Sequence, residues 1–382
     1  MEKPKLGENH GSSAGRKPSP ARLEDIAAQV GVSCSEVSRV LNGRVRAGKS
    51  VAAATQQRIL EAARAMNYSP HRAAQNLVLG RTNTAALMMV INRAEEPSPF
   101  LGAQEAPFLT AEDAPGELSP HYHEIIGGLT HALHQYGIHL TLARCGGPDT
   151  DPLVAMEQIA RSRMCDGMVI TDMLVDDLRP RILEQTGLPY VIRGTSPSAG
   201  RIAVGMDNVA VGYQAVRHLY ERGHRRILFY NIRHDLIVGQ RRFEGVCQAR
   251  DEFGLQETLE YRADVEYKDA VYQTLLQRLQ EPHIPTAVFA KDEISALGAR
   301  RALAEAGLRV PQDVSLMACL NAPFMRLVAP DLTVLNVRQN ESAAQAGTLL
   351  ARLMRGEPVE KRQILLAPLL EEHGSTAPPP KR

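Results

Sequence analysis

The sequence predicts an α/β protein: a small N-terminal helical head, then a long body of alternating strands and helices built on parallel sheets. Three observations carry this. Arg22–Gly43, RLEDIAAQVGVSCSEVSRVLNG, reads as two short helices joined by a tight turn. From residue 85 onward, short continuous apolar runs alternate with helical stretches, the pattern of strands covered on both faces. Charge is split as well. Residues 1–80 carry 12 Lys/Arg against 6 Asp/Glu, and the remainder carries 32 against 37, so the net charge of +1 conceals a basic head on an acidic body. That asymmetry fits nucleic-acid contact through the head. With 382 residues the chain can hold such a head plus a core large enough for two lobes.

Along the chain, residues 1–20 are polar, lack a signal-peptide core and are expected to form a disordered arm. In the first helix Leu23, Ile26, Ala27 and Val30 share one face, and Gly31 supplies a left-handed turn residue. Ser33 stands where an N-cap belongs, and Glu36 completes an S-x-x-E capping box. Val37, Val40 and Leu41 turn inward. Cys34, Ser35, Ser38, Arg39 and Asn42 are left outside. A short capped helix with small polar residues and one Arg on its outer face can enter a major groove; the alternative is an ordinary helical hairpin. Thr55–Met66 predicts a third helix with Ile59, Leu60, Ala63 and Met66 inward, ending ahead of Pro70. Strands are expected at 85–91, 139–145, 167–171, 189–193, 226–231, 286–290, 314–320 and 363–369, with helices between most of them. Arg93–Ser119 interrupts this order. A loop so long is either functional or disordered, and its Pro, Ala and Glu favour disorder. Residues 376–382 are expected to be a disordered tail.

Several classes are excluded or weakened. Five cysteines (34, 145, 165, 247, 319) form no C-x-x-C pair, which suits reduced thiols rather than a disulfide framework. No apolar run approaches the ~20 residues of a membrane span. A cytoplasmic protein is the expectation. His121 and His123 of HYH point in different directions on a helix, and no third metal ligand has suitable spacing. There is no Gly-rich phosphate loop and no G-x-S-x-G. Neither a cofactor nor an enzymatic activity is expected. A free-standing sugar-binding protein would share the body but leave the head unexplained.

The strings GVSCSEVSRVLNG, TQQRILEAA and NYSPHRAAQNLVLGRT, in that order, resemble the lactose-repressor (LacI/GalR) family of bacterial transcriptional regulators. The resemblance continues in VGMDN at 204–208, ERGHRRI at 221–227, RFEG at 242–245, AGLRVPQDVSLM at 306–317 and LTVLNVRQN at 332–340, and so covers nearly the whole chain. It implies a helix-turn-helix head over 21–70, a hinge helix over 71–80, and a two-lobed body over 81–375 like a periplasmic sugar-binding protein. The chain should cross between lobes near Gly205–Asp207 and return near Leu335–Gln339 and Glu357–Arg362. The implied function is that of a homodimeric regulator, a repressor, on a near-palindromic double-stranded operator. A small metabolite, a sugar or sugar derivative, would control it from the interlobe cleft.

Site residues follow from the same resemblance. Cys34, Ser35 and Arg39 match base-reading positions, and the Arg39 fork can donate twice to a guanine edge. Ser33, Ser38 and Asn42 match phosphate contacts. His71, Arg72, Ala74, Gln75 and Leu77 match the hinge helix, too short to be stable alone, with Leu77 as the wedge that opens a minor-groove step. Glu36 departs from the usual Thr, His71 replaces the usual Asn, and the loop Arg44–Thr55 is longer than usual. In the cleft, Arg242 and Asp292 match ligand contacts, and Tyr122 stands where an aromatic ring stacks on a sugar. Asp172 lies just past a strand end, where open α/β sheets place ligand contacts. Leu320 replaces a usual Asp, with Asn321 next to it. Arg193 follows the strand PYVI and would add a second guanidinium, which leans the ligand towards an acidic or phosphorylated sugar.

Overall fold

A computed structural model describes residues 21–41, 51–68, 80–90, 121–145, 152–263, 270–319, 325 and 331–381. The expected arm, the hinge helix and the 93–119 interruption lie outside these residues, as do Asn42, His71, Arg72, Ala74, Gln75, Leu77 and Asn321. The chain divides into two units, Met1–Gly80 and Arg81–Arg382.

Three helices build the head: α1 (Leu23–Val30), α2 (Cys34–Leu41) and α3 (Ala53–Ala65). Gly31, at φ 74°, closes α1 by donating its N–H to the Ala27 carbonyl. The core is small. Ile26, Val37 and Ile59 are fully buried, joined by Ala27, Val30, Ala62 and Ala63. Leu60, expected inward, is 37% exposed. Counting three and four on from Ile59 brings Ala62 and Ala63 to the buried face and leaves Leu60 at its margin. Arg58 ties α3 to α1 by donating to the Val30 carbonyl at 2.9 Å.

The body holds two sheets. The first comprises β1 (Thr84–Val90), β2 (His139–Cys145), β3 (Gly167–Ile170), β4 (Tyr190–Arg193), β5 (Ala203–Met206) and β11 (Gln363–Leu366). They are parallel, in the order β11-β5-β4-β3-β1-β2. The second comprises β6 (Ile227–Tyr230), β7 (Leu259–Arg262), β8 (Ala287–Ala290), β9 (Ser315–Cys319), β10 (Thr333–Asn336) and β12 (Leu369–Glu371). Its order is β12-β10-β9-β8-β6-β7, and β12 alone runs antiparallel. Helices cover both faces: α4 (His121–His134), α5 (Pro152–Arg161) and α6 (Arg179–Thr186) in the first lobe, then α7 (Asn208–Glu221), α8 (Ile237–Glu252), α9 (Ala270–Leu279) and α10 (Glu293–Glu305) in the second. α11 (Gln339–Met354) returns to the first. The apolar runs are continuous because each strand feeds two cores. Ala85, Leu87 and Met89 face one cluster, while Ala86 and Met88 face another. α4 and α11 approach so closely that a Cβ at Gly128 would lie 2.2 Å from the Asn340 carbonyl, which no side chain tolerates.

The chain crosses between lobes three times. The first crossing follows β5 at Asp207 and the second lies at Val337–Arg338, both where the sequence places them. The third does not fall at Glu357–Arg362. It falls at Ala367–Pro368, because the expected strand 363–369 is two strands in two sheets. Pro368 lacks the N–H that a continuing ladder would need. The lobes also touch directly. Val175 donates to the Asp235 carbonyl and Ile237 to the Met173 carbonyl, each at 2.9 Å, forming a short antiparallel bridge around Leu174 and Leu236.

The tail is a correction. Residues 376–381 are not loose; they dock on the amino ends of the second sheet. Ser375 is fully buried and exchanges bonds with Leu316, and its Oγ also receives the Thr333 N–H at 2.8 Å. Thr376 Oγ1 meets His218 Nε2 at 3.2 Å. The Ala377 carbonyl lies 2.9 Å from His224 Nε2, which therefore carries the ring proton, while Nδ1 meets Thr286 Oγ1 at 3.0 Å. Short hydroxyl side chains serve strand ends that would otherwise be buried without partners. The folded body thus runs past residue 375.

His224 is 1% exposed, and burial pushes its pKa down from 6.5 to about 4. Burial pushes His218 in the same direction. Below pH 6.5 the unfolded chain takes up protons that the folded one refuses. Stability is therefore complete above that pH and drains away as the pH falls towards about 4. Thermal denaturation across this window should show a steeper loss for the native sequence than for His224→Gln. Parallel slopes would refute the buried neutral imidazole.

Candidate functional site

The outer face of α2 begins with its cap. Ser33 N donates to Glu36 Oε2 at 3.0 Å, Ser33 Oγ donates to the same oxygen at 2.8 Å, and Glu36 N returns a bond to Ser33 Oγ at 3.2 Å. The Ser33 backbone and then its hydroxyl hold the Glu36 carboxyl below the usual range. Glu36 thus folds back, as the capping box predicts. Ser33, expected at a phosphate, has its one hydroxyl proton committed to Glu36. Cys34 and Ser35 are exposed, and Ser38 and Arg39 are half-buried. Arg39 Nε bonds the Ser35 carbonyl one turn back at 3.2 Å, laying the side chain along the helix. The positive end of α2 and its exposed small residues form one surface.

In the body, parallel strands direct their carboxyl ends towards the junction of the lobes, where loops after β3 and β6 meet in the Leu174–Leu236 bridge. Asp172, directly after β3, adopts φ 50°. It receives Tyr122 OH at 2.6 Å and Thr171 Oγ1 at 2.9 Å. Arg179, paired with Asp177 out of solvent, donates to the Asp172 carbonyl at 2.8 Å and so fixes this turn. Burial and then the adjacent Asp172 charge push the Tyr122 hydroxyl pKa up, so it stays a donor. At the end of β4, Arg193 donates to Gln339 Oε1 at 2.6 Å. Burial pulls its pKa down, and the nearby Asp172 carboxylate works against that shift.

The second lobe adds three groups at the same edge. Asn231 follows β6, is fully buried, and donates to the Gly239 carbonyl at 2.8 Å and to Tyr261 OH at 2.6 Å. Arg242, in α8, is 3% exposed and gives Nη2 to Asn208 Oδ1 at 3.3 Å. Asp292 caps α10 by accepting the Ser295 N–H at 2.7 Å. Five buried side-chain polar atoms lack any partner among the described residues: Arg179 Nη1, Arg193 Nε, Asn231 Oδ1, Arg242 Nε and Arg242 Nη1. All belong to residues at this junction. Buried orphans are rare, and their grouping on one edge marks a place that another molecule can fill.

The structure therefore brings Tyr122, Asp172 and Arg193 into one cluster, with Arg242 and Asp292 across the junction and not bonded to it. One expected role fails. Tyr122 is 5% exposed and packs in the first lobe's core, so its ring offers no face for stacking; it acts through its hydroxyl on Asp172. Asn231, Asn208, Gln339 and Thr171 escaped the sequence. Asn231 carried the same signal as Asp172, a polar residue just beyond an apolar strand. Among the described residues no group of three or more His, Cys, Asp or Glu is placed to hold a metal, and no helix is long and apolar enough to cross a membrane.

The capping box is directly testable. Ser33→Ala should speed amide exchange in α2 roughly fivefold, the effect of losing one N-cap, and leave the body unchanged. Unchanged exchange in α2 would show that the box does not hold the helix.

Comparison with known proteins agrees with this geometry. Residues 22–71 match the lacI family of bacterial regulatory proteins, and residues 216–376 match a periplasmic binding protein-like domain. The regulator CelR of Thermobifida fusca is 30% identical over 90% of this chain and 95% of its own length. The repressor PurR of Mannheimia succiniciproducens is 29% identical over 87% of this chain and 91% of its own. A CelR–cellobiose complex superposes with a TM-score of 0.63 at 26% identity, covering 93% of this chain and 99% of that one. The Lac repressor dimer bound to operator and the anti-inducer ONPF gives 0.75 at 21% identity, covering 94% and 100%, which bears on the fold alone. These relatives are regulators and not enzymes. With a helix-turn-helix head, two parallel-sheet lobes and a relative aligned along nine-tenths of its length, the chain belongs to the LacI family of DNA-binding transcriptional regulators.

Proposed function

We propose that this regulator is a cytoplasmic repressor that binds a near-palindromic operator as a homodimer and is controlled by a sugar or sugar derivative in the interlobe cleft. The observation that carries the effector site is the set of orphaned buried polar atoms on Arg193, Asn231 and Arg242, all at the junction between the carboxyl edges of the two sheets. The relatives support the rest: CelR has been solved with cellobiose, PurR is named a repressor, and the Lac repressor was solved as a dimer on operator. In this scheme residues 21–70 read DNA, residues 71–80 form the hinge helix, and the body from residue 81 onward binds ligand and partner. Cys34, Ser35 and Arg39 read bases. Ser38 and Asn42 grip phosphate, and Leu77 wedges the minor groove with His71, Arg72, Ala74 and Gln75 around it. Tyr122, Asp172, Arg193, Arg242, Asp292 and Asn321 serve the ligand, Tyr122 by orienting Asp172. The ligand acts by preferring one arrangement of the lobes.

Operator sequences selected from a random pool should share a two-fold motif with half-sites set by the dimer. Arg39→Ala should cost about 1–3 kcal/mol on the selected site and blur one base position. Retained preference at every position would remove Arg39 from the groove. A second measurement addresses the cleft. Arg242→Ala should leave operator affinity intact without ligand and abolish the shift that ligand causes. A ligand response that survives this substitution would place the effector elsewhere.

A further inference from the structure

We propose that the ligand of the cleft carries an acid group, a carboxylate or a phosphate, held between Arg193 of the first lobe and Arg242 of the second. This rests on the cleft being the effector site. Both guanidinium groups have nitrogens set into the protein, and among the described residues neither has a carboxylate within ion-pair distance. Among the described residues their hydrogen-bond partners are all neutral: Gln339 and Ser342 for Arg193, Asn208 for Arg242. Three of their N–H-bearing nitrogens are buried with no acceptor among the described residues. Burying an unpaired cation is costly, and the cost is relieved when an anion completes the site.

The contrast with other buried arginines in the same body is direct. Arg179 is paired with Asp177 at 2.5 Å, and Arg278 with Glu260 at 2.6 Å. Where this chain buries an arginine for structure, it supplies a carboxylate; at the cleft it supplies amides and a hydroxyl. The acids that do lie in the field of Arg193 are poor substitutes. Asp172 already receives the hydroxyls of Tyr122 and Thr171, and burial pushes Glu124 up towards its neutral form. A planar fork with open N–H groups matches two oxygens of a carboxylate or phosphate, which a neutral hydroxyl cannot supply. Asp172 and Asp292 remain as acceptors for hydroxyl donors elsewhere on the same ligand. The chemistry described is that of a polyhydroxylated acid.

The test uses the full chain. Inorganic phosphate, at matched ionic strength against chloride, should raise the thermal midpoint of the native protein and have no effect on the double variant R193Q/R242Q. Calorimetry then compares matched probes: glucuronate against glucose for the carboxylate, glucose 6-phosphate against glucose for the phosphate, with cellobiose as a neutral disaccharide. At least one acid should bind about tenfold or more tighter than its neutral counterpart, the value of one charge-assisted hydrogen bond over a neutral one. R193Q should erase that margin and Arg193→Lys should keep part of it, which separates loss of charge from loss of fold. No stabilisation by phosphate, or a neutral sugar that binds as tightly as any acid and is indifferent to R193Q, overturns the proposal. If that neutral sugar still requires Arg242, the cleft stands as the effector site and only the acid group falls. If no bound probe depends on Arg242, the effector reading falls with it.

Discussion

Every strand of a parallel sheet ends on the same edge, and its last polar groups must find partners there or remain unpaired. This requirement organises the body. At the amino edge of the second sheet the demand is met internally, by Ser375, Thr376 and Ala377 folding back over Thr286, Ser315, Thr333 and the two buried histidines. At the carboxyl edges it is left open. Arg193, Asn231 and Arg242 keep atoms without partners there, although the same chain shows elsewhere that it can satisfy them. A fold that closes one edge and not the other has a built-in polarity, and the open edge is the one that the proposed effector site uses.

Three crossings, with a direct bridge beside them, join the lobes. The crossings at Asp207, Val337–Arg338 and Ala367–Pro368 carry the chain between the lobes, while the Leu174–Leu236 bridge links the loop bearing Asp172 to the loop that enters α8. Arg242 reaches Asn208, the residue just after the first crossing. The proposed ligand contact and the first crossing are thus neighbours in the structure, so the proposed control needs no long relay between them.

Much of this was legible in the sequence because local chemistry decided it. Ser33 and Glu36 announced a cap that formed as spelled, and Gly31 announced the left-handed turn before it. The alternation of apolar strands and helices placed both sheets. What escaped was decided by distant partners. The run QILLAPL is equally apolar on both sides of Pro368, and only the choice of neighbours, β5 for one half and β10 for the other, divides it. Tyr122 is an aromatic at the mouth of a helix until the core of the first lobe claims its ring. The Pro-rich composition of the tail hid Ser375 and Thr376, whose value lies wholly in the strand ends they meet. At the site, Asp172 and Arg193 were identifiable by their places at strand ends, and Arg242 by the family resemblance. Asn231 was not singled out because an amide carries no charge to attract notice, yet it is one of the few fully buried polar side chains there.

The late return of the chain sets the order in which the protein can assemble. The head is made of neighbours: its three helices lie within some forty residues and pack on one another around Ile26, Val37 and Ile59. The body is the opposite. Gln363 bonds Arg201 across 162 positions, Arg355 bonds Tyr136 across 219, and the second sheet receives its final partners from Ser375 onward. Neither lobe can complete its sheet until the last tenth of the sequence has been laid down. The contacts of the head are local and those of the body are long-range, so in synthesis the part that reads is expected to take shape before the part that governs it.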